Sequence, residues 1–378
     1  MKMTDRIDII VPAHRAHATI GRTLESLAVQ TIAKDLDVLV IDDECPEGDY
    51  HDVVAPFLSR LNIRVLRLPK NLGAGGARQA GIDNSHNSYF SCIDSDDAFT
   101  APDSLEQLRN VMLENKAVQR CGGDLLYYSE SGESFRQSGA FSMDGKLFRR
   151  SFIEKYGLRF NGTRANEDYG YNLTVDLLCD NEAERTGYVP EATVNVYINP
   201  NSITSAGNNR FVWDQRLCGF VDNSIWAFDI VKDLRPGSDA VTMEILRVLL
   251  ITYCYSCIIT VNEPDYSAQA WEYAKKYYHL CYRRYFCPAF ESMEKNLVPE
   301  TTPLIFETFA KQGYFDLPEG TAPPIRFDEF LERMRTEEYD PGHIYDIWEK
   351  MAESPKLREG MRLNEETGVC ERGYAERK

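Results

Sequence analysis

Strand-length apolar runs alternate with helical segments along the N-terminal part of this chain, and the alternation limits the folds open to it. The apolar runs lie at residues 7–11, 38–41, 63–68 and 89–93. Helical segments are predicted between them, at 20–31, at 52–61, and from the glycine-rich stretch at 71–78 up to residue 82. Strands joined by crossover helices form a mostly parallel sheet. The pattern therefore predicts an α/β domain.

Polar side chains follow the predicted strands at the point where each strand ends. In chain order these residues are Pro12, Asp42 and Asp43, Asn71, and then Asp94, Asp96 and Asp97. Parallel sheets bind ligands at the carboxyl ends of their strands. We therefore expect these side chains to line one crevice.

The acids after the fourth strand are separated only by Ser95. Carboxylates this close repel one another and are costly to desolvate unless a cation lies among them. Oxygen ligands suit a hard ion such as Mg²⁺ or Mn²⁺, which keeps open positions for phosphate oxygens. By itself the stretch also fits a solvated acidic turn, since Ala101-Pro102-Asp103 is typical of a helix start.

The glycine-rich stretch differs from a dinucleotide-binding fingerprint. It has Gly73-x-Gly75-x-x-Arg78, with arginine in place of the third glycine, and it follows the third strand instead of the first. One interpretation is that small residues let the backbone approach a nucleotide while Arg78 supplies a planar donor fork. The alternative is a helix start packed on the sheet with Arg78 at the surface.

Composition excludes some classes of protein. The net charge of −17 argues against an extended surface for nucleic acid. The polar opening at residues 1–6 predicts no signal peptide. No apolar stretch is expected to reach the roughly 18–20 residues of a membrane span. These features favour a cytoplasmic protein, with the inner face of the membrane as a further location.

A set of motifs in register carries a family resemblance. The motifs are Val11-Pro12, Glu25-Ser26-Leu27 with Gln30-Thr31, Ile41-Asp42-Asp43, Asn71-Leu72-Gly73 through Ala77-Arg78 to Gly81, and Asp94-Ser95-Asp96-Asp97. Together they resemble the GT-A fold glycosyltransferases of family 2. Such enzymes use nucleotide-diphosphate sugars and invert the anomeric centre. The resemblance implies a GT-A (Rossmann-like), mostly parallel sheet domain.

The resemblance also implies roles for particular residues. Pro12, His14 and Asp43 would hold the nucleotide base, usually uracil. Asn71 and Arg78 would line the nucleotide and sugar pocket. Asp94 would meet the ribose or sugar, Asp96 would bind Mn²⁺ or Mg²⁺, and Asp97 would share these last roles. Farther along the chain, a Lys-Leu-Phe-Arg-Arg helix at 146–150 and the pair Glu167-Asp168 resemble the family, and Asp168 would be the catalytic base.

The chain departs from the family pattern at three places. His14 and Arg15 replace a tyrosine and an asparagine, and Glu44-Cys45 replaces Gly-Ser. Asp144 lies where many members have tryptophan. The first two departures flank the position of the base, so they bear on the choice of nucleotide. His14 and His17 are not interpreted as a metal pair, since His14 belongs to the pocket and His17 is expected at the surface.

The middle of the chain continues the domain. A helix is predicted at 104–116, a strand at 125–128, a helix at 168–179 and an edge strand at 188–197. Without the upstream motifs, charge compensation at a helix start would be the better explanation of Glu167-Asp168. Residues 199–210 are a candidate lid over donor and acceptor, or a mobile loop.

The last third has a different character, with helical spacing at 211–232, 239–261, 267–286 and 328–334. We expect a catalytic domain at 1–205, a mainly α-helical C-terminal region at 206–352 and a charged tail at 353–378. The helical region would bind the acceptor or form a homo-oligomer. Its aromatic residues are expected in the core or an interface more than on a sugar, and Cys254-x-x-Cys257 is not expected to bind zinc.

The resulting hypothesis is a metal-dependent inverting glycosyltransferase. Its donor would be a nucleotide-diphosphate sugar, with UDP-sugar favoured, and its acceptor a saccharide or another hydroxyl compound. One alternative is a sugar nucleotidyltransferase, which would use a nucleoside triphosphate and release pyrophosphate. Another is a non-catalytic module that binds a nucleotide or a glycan.

Overall fold

The structure is a computed structural model that divides into two compact units. It describes residues 5–129, 134–139, 141–163, 165–198, 210–262, 264–288, 290–292, 306–307, 321–343, 361–364 and 369–372. The first unit comprises Met1–Gly162 and Glu167–Ser205, and the second comprises Thr163–Asn166 and Ala206–Lys378.

Strands and helices alternate through the first unit and helices prevail in the second. The strands are β1 (Ile7–Ala13), β2 (Leu36–Asp42), β3 (Asn62–Arg67), β4 (Tyr89–Cys92), β5 (Ala98–Phe99), β6 (Val118–Gly122), β7 (Asp124–Tyr128), β8 (Ser134–Ser138), β9 (Lys146–Arg149), β10 (Arg185–Tyr188), β11 (Val194–Tyr197), β12 (Met361–Asn364) and β13 (Val369–Arg372). The helices are α1 (Ile20–Ala28), α2 (His51–Val54), α3 (Gly73–Asp83), α4 (Ser104–Glu114), α5 (Arg150–Tyr156), α6 (Glu167–Leu178), α7 (Arg210–Val231), α8 (Asp239–Asn262), α9 (Ser267–Tyr277) and α10 (Phe327–Thr336).

A seven-stranded sheet forms the centre of the first unit, with strand order β10-β6-β9-β4-β1-β2-β3. β1 pairs in parallel with β2 and β4, and β2 pairs in parallel with β3. Nearly every residue of β1 and β2 is buried, as expected for parallel strands covered on both faces. The predicted mostly parallel sheet is therefore confirmed. A second sheet has the order β5-β11-β7-β8.

The helix predicted at 146–150 is wrong. Residues Lys146–Arg149 form β9, which lies between β4 and β6 and is antiparallel to both. Lys146, Leu147 and Phe148 are buried there, and α5 begins only at Arg150. A run this short carries no period that separates a strand from a helix, so pairing with two neighbours decides its conformation.

The single edge strand predicted at 188–197 is also wrong, because the run divides. Its start belongs to β10, at the edge of the seven-stranded sheet, and Val194–Tyr197 form β11. β11 is flanked by β5 and β7 in the other sheet. Pro190 lies between the two strands and cannot donate a ladder hydrogen bond. The candidate lid lies outside the described residues apart from Arg210, which begins α7.

The second unit contains α7 to α10, so the helical character predicted for this region is confirmed. A π-helical turn at Tyr278–Tyr282 follows α9. The predicted aromatic group is largely buried at Trp271, Tyr273, Tyr277, Tyr278 and Tyr282, whereas Phe286 is exposed. Within the predicted tail, β12 and β13 form an antiparallel pair.

Helix α8 differs from the expectation that no segment is apolar enough to span a membrane. It has 24 residues and an apolar window with a mean hydropathy of 1.7. Within that window, 61% is buried inside the protein. Core helices show the same burial, so length and hydropathy alone do not identify a membrane span.

Gly81 determines how closely α3 packs on β1. A Cβ atom at this position would lie 2.4 Å from Ile10 Cγ2. Gly81→Ala should therefore lower the free energy of unfolding by about 1–3 kcal/mol through overpacking. The matched control is Gly21→Ala on α1, where nothing lies within 4 Å of the added atom. That change should be neutral or stabilising by less than about 1 kcal/mol. Urea unfolding measures the stability of both variants. Equal unfolding midpoints for Gly81→Ala and Gly21→Ala would contradict the packing explanation.

Candidate active site

The parallel register brings the ends of β1, β2 and β4 to one edge of the sheet. Ala13 at the end of β1 is level with Asp42 at the end of β2. Ile10 of β1 is level with Cys92 at the end of β4. The segments that follow these strands therefore meet at one place, as predicted from the polar residues that end them.

Asp43 connects the end of β2 to the start of α3. It is buried, and its carboxylate accepts hydrogen bonds from the backbone N–H groups of Leu72 at 2.7 Å and Gly73 at 2.9 Å. Free N–H groups and the helix dipole favour a carboxylate at this position. The backbone carbonyl of Asp43 accepts from His14 Nδ1 at 3.0 Å and from the Asn71 amide at 3.1 Å. The structure thus brings three predicted base-pocket residues together.

Arg78 joins two carboxylates from distant parts of the chain. One guanidinium nitrogen donates to Asp94 at 2.6 Å and another donates to Glu167 at 2.8 Å. The side chain is only 4% exposed, so the alternative of a surface arginine is wrong. Its Nε has no hydrogen-bond partner among the described residues. Asp94 and Glu167 raise the pKa of this arginine despite its burial.

The glycine-rich start of α3 serves this contact. A Cβ atom at Gly75 would lie 2.7 Å from Cγ of Glu167. Glycine at this position therefore leaves room for the side chain that Arg78 binds. The close approach of a protein side chain accounts for this glycine without a nucleotide.

Three carboxylates cluster at the end of β4. Asp94, Asp97 and Asp144 each offer one oxygen, and these oxygens lie within 4.8 Å of one another. Asp144 accepts the backbone N–H of Asp94 at 2.8 Å and the Ser142 hydroxyl at 2.9 Å. Asp97 is 4% exposed and accepts the backbone N–H of Tyr197 at 3.2 Å.

Two acids of this cluster, Asp97 and Asp144, have raised pKa values. Burial, followed by repulsion from Asp144 and Asp94, raises the pKa of Asp97 to about 10. Burial and the neighbouring Asp94 raise the pKa of Asp144 to about 7. Oxygen ligands of this kind fit a hard divalent cation, which would take the place of the protons.

Asp96 lies outside that group of three, and its assignment as the metal ligand stays a prediction. Burial and Asp94 raise the pKa of its carboxyl group. Arg22 of α1 donates to the backbone carbonyl of Asp96 at 2.6 Å. The same guanidinium lies 3.5 Å from the centre of the Tyr197 ring, a cation–π contact that links the Asp96 turn to β11.

The predicted base, Asp168, lies at the start of α6 directly after Glu167. Burial raises the pKa of Asp168, while Arg78 and a hydrogen bond from the Tyr169 N–H oppose the shift. Burial and Asp168 raise the pKa of Glu167 to about 7. Asp168 is also in electrostatic range of Asp94 and Lys146. Burial and Arg120 lower the pKa of Lys146 to about 7, and its ammonium group donates to the carbonyls of Gly139 and Ser142.

The site contains residues whose roles sequence analysis missed. Asp144 was recognised only as a departure from the family, and Glu167 only as part of a helix start. Arg22 carried no signal, because it is 74 residues from the turn that it contacts. Pro12 lies in β1 level with Ile41 of β2, at the same edge of the sheet as the other predicted residues.

The raised pKa values predict a stability that falls with pH when no divalent cation is present. Asp144 and Glu167 have ordinary values of 3.8 and 4.5 and folded-state values of about 7. The folded state therefore binds more protons than the unfolded state between about pH 4 and 7, so this stabilisation is lost as pH rises through about 7. We expect a loss on the order of 3–4 kcal/mol per group over the whole of this pH range, because one pKa unit corresponds to about 1.4 kcal/mol.

Chemical unfolding in EDTA between pH 5 and 8 measures the slope of the free energy of unfolding against pH. Asp144→Asn should flatten it, and saturating Mg²⁺ or Mn²⁺ should flatten it in the parent protein. Asp180→Asn, which changes an exposed acid, should leave the slope unchanged. Equal slopes in the parent and Asp144→Asn would contradict the prediction.

Comparison with known proteins gives a family for this domain. Residues 8–166 match the family model described as Glycosyl transferase family 2. The succinoglycan biosynthesis protein ExoO of Rhizobium meliloti (strain 1021) is 28% identical over 189 residues, which are 43% of this chain and 53% of that protein. ExoW of the same organism is 36% identical over 131 residues, 32% of this chain and 40% of that protein. The chain thus spans about half or less of the length of these two relatives.

Solved structures show the same fold. The crystal structure of Staphylococcus aureus TarS 1-349 in complex with UDP-GlcNAc has a TM-score of 0.60 and 14% identity, and the match covers 98% of this chain and 97% of that one. TarS without that ligand gives a TM-score of 0.59. The chain therefore has the GT-A fold with a helical C-terminal region, and its residues 8–166 match the model of glycosyl transferase family 2.

Proposed function

We propose that the protein is a metal-dependent inverting glycosyltransferase with a nucleotide-diphosphate sugar as donor, UDP-sugar being favoured. The observation that carries the proposal is the position of Arg78. It binds Asp94, on the predicted donor side, and Glu167, which immediately precedes the predicted base Asp168. The contacts of this buried cation support the proposal, because they join an acid predicted to bind the donor to the segment that carries the predicted base.

The donor would bind where the segments after β1, β2 and β3 meet. Pro12, His14 and Asp43 would hold the base, and Asn71 would line the pocket beside them. The hydrogen bonds of Asp43 to the start of α3 support this role, because they fix the backbone around the pocket. The complex of TarS with UDP-GlcNAc supports a uridine donor by analogy of fold.

A divalent cation, Mn²⁺ or Mg²⁺, would be held by Asp96 together with Asp94. The side chain of Asp94 is 37% exposed, whereas Asp97 is almost completely buried. Asp97 and Asp144 would support this pair, since both accept hydrogen bonds from backbone N–H groups. When bound, the ion would supply positive charge to the diphosphate leaving group.

Asp168 would accept the proton of the acceptor hydroxyl. Inversion needs one in-line attack on the anomeric carbon from the face opposite the diphosphate, so one base suffices. Burial raises the pKa of Asp168 above that of an ordinary aspartate, which makes it a stronger base. Arg78 opposes this shift by favouring the charged form.

The acceptor is proposed to be a saccharide hydroxyl. ExoO and ExoW carry succinoglycan biosynthesis in their names, and another relative is named as a glucosyltransferase that acts on a GlcNAc-diphosphoundecaprenol. The helical region at 206–352 would bind the acceptor or form a homo-oligomer. We propose the cytoplasm or the inner face of the membrane as the location of this reaction.

Asp168→Asn should test the base. We expect kcat to fall by about 100-fold or more, because general base catalysis typically contributes that much, with the donor KM nearly unchanged. The control is Asp180→Asn, which changes an exposed acid just beyond the same helix. Products are followed with NDP-sugars and, in parallel, with nucleoside triphosphates. Pyrophosphate release from a triphosphate would indicate a nucleotidyltransferase, and no turnover with intact donor binding would indicate a binding module.

Asp96→Asn should test the cation. In the parent protein, Mn²⁺ should increase the rise in melting temperature that UDP-sugars cause, because a ligand of the folded state stabilises it. Asp96→Asn should abolish the Mn²⁺-dependent part of that rise. If Asp144→Asn abolishes it and Asp96→Asn does not, the cation is held by the group of Asp94, Asp97 and Asp144, and the assignment to Asp96 is wrong.

A further inference from the structure

A second group of metal-ligating side chains lies outside the acid cluster. His17, Cys45 and Glu47 each offer one ligand atom, and these atoms lie within 4.8 Å of one another. Nδ1 of His17 is 3.5 Å from a carboxylate oxygen of Glu47 and 3.9 Å from Sγ of Cys45. His17 follows β1, whereas Cys45 and Glu47 follow β2, so the group joins two strand-end segments.

The hydrogen bonds of His17 determine which of its nitrogens can bind a cation. Nε2 lies 2.8 Å from the backbone carbonyl oxygen of Asp49. A carbonyl oxygen can only accept, so Nε2 carries the hydrogen. In the neutral ring the lone pair is then on Nδ1, the atom that lies beside Glu47 and Cys45. Three electron-rich atoms this close repel one another unless a cation lies among them.

The sulfur of Cys45 lies beside the His17 ring as a reduced cysteine. Cys45 is completely buried and forms no disulfide. Its Sγ accepts a hydrogen bond from the backbone N–H of Arg15 at 3.3 Å. This contact fixes the direction of the sulfur toward the group.

The surroundings hold the ligand atoms in place, as the outer shell of a metal site does. The His17 ring stacks on Tyr50 with a centroid separation of 4.3 Å. The backbone N–H of Cys45 donates to Asp42 at 2.8 Å, and the carbonyl of Cys45 accepts from Arg67 at 3.0 Å. Glu47, with 55% of its side chain exposed, leaves a path from solvent to the group.

The separations suit a tetrahedral ion. Bonds of about 2.0–2.3 Å give ligand–ligand distances of roughly 3.3–3.8 Å in a tetrahedron. The observed N–O and N–S separations of 3.5 and 3.9 Å are close to that range. We propose that His17, Cys45 and Glu47 bind a transition-metal ion of intermediate softness, with Zn²⁺ as the first choice and a fourth position open to water.

Such an ion would connect the two segments that carry His14 and Asp43. Cys45 is also one of the positions where the chain departs from the family pattern. Metal binding would therefore hold the base pocket in one arrangement, a consequence that rests on the proposed function. The binding itself does not depend on that function.

Co²⁺ titration of the full-length, metal-free protein tests the site, because cobalt bound to a thiolate gives a charge-transfer absorption that oxygen ligands do not give. We expect one thiolate-bound Co²⁺ per chain, displaced by Zn²⁺. Cys45→Ser should remove the absorption, and Cys121→Ser, which changes a buried cysteine of β6, should retain it. His17→Asn and Glu47→Gln should both weaken Co²⁺ binding. We expect the affinity to fall by about 100-fold for His17→Asn, because loss of a ligand costs at least as much as loss of a residue that supports the ligand.

Glu47→Gln keeps the test informative if the buried variants fail to fold, because its side chain is largely exposed. Absence of the absorption in the parent protein, or its persistence in Cys45→Ser, would overturn the site. The contact of His17 with Glu47 would then be an imidazolium–carboxylate pair. The absorption is independent of sugar transfer, so failure of this proposal and failure of the proposed function give different results.

Discussion

The buried guanidinium of Arg78 is the contact on which the rest of the site depends. An arginine side chain stays charged in a protein, so burial of Arg78 requires carboxylates to compensate it. Asp94 and Glu167 supply them from the end of β4 and the start of α6. Because the guanidinium is planar, the two hydrogen bonds also fix the position of the start of α6 relative to the end of β4. Asp168, the next residue of α6, takes its position as a consequence.

The acids around Arg78 outnumber the cations that can balance them. Among the described residues, Asp97, Asp144, Glu167 and Asp168 have raised pKa values, and burial is the largest cause for each. Lys146 gives little help, because burial and Arg120 lower its own pKa. Protons or a cation must therefore make up the difference. Titratable groups whose charged form is disfavoured in the folded state are typical of binding and catalytic sites. They are less typical of purely structural ion pairs.

Sequence analysis predicted the sheet and the edge at which the site lies, because continuous apolar runs and the residues that end them carry that information. It placed His14, Asp43 and Asn71 in one pocket, and the structure brings them together. It did not predict that β9 is a strand, since the pairing of Lys146–Arg149 with β4 and β6 is non-local. It assigned Gly75 to a nucleotide because nothing in the local sequence shows that Glu167 comes close. Hydrophobic periodicity indicates which face of a helix or strand is buried. It does not indicate which distant side chain packs against that face.

The departures from the family pattern are connected in space. The backbone N–H of Arg15 donates to Cys45, which joins the segment after β1 to the segment after β2. His14 and Asn71 both donate to the carbonyl of Asp43. Asp144 accepts the backbone N–H of Asp94 and so supports the acidic turn from a position where many family members have tryptophan. The residues that depart from the family pattern contact these backbone groups and so hold the strand-end segments in place. They also change the atoms that are offered to a ligand.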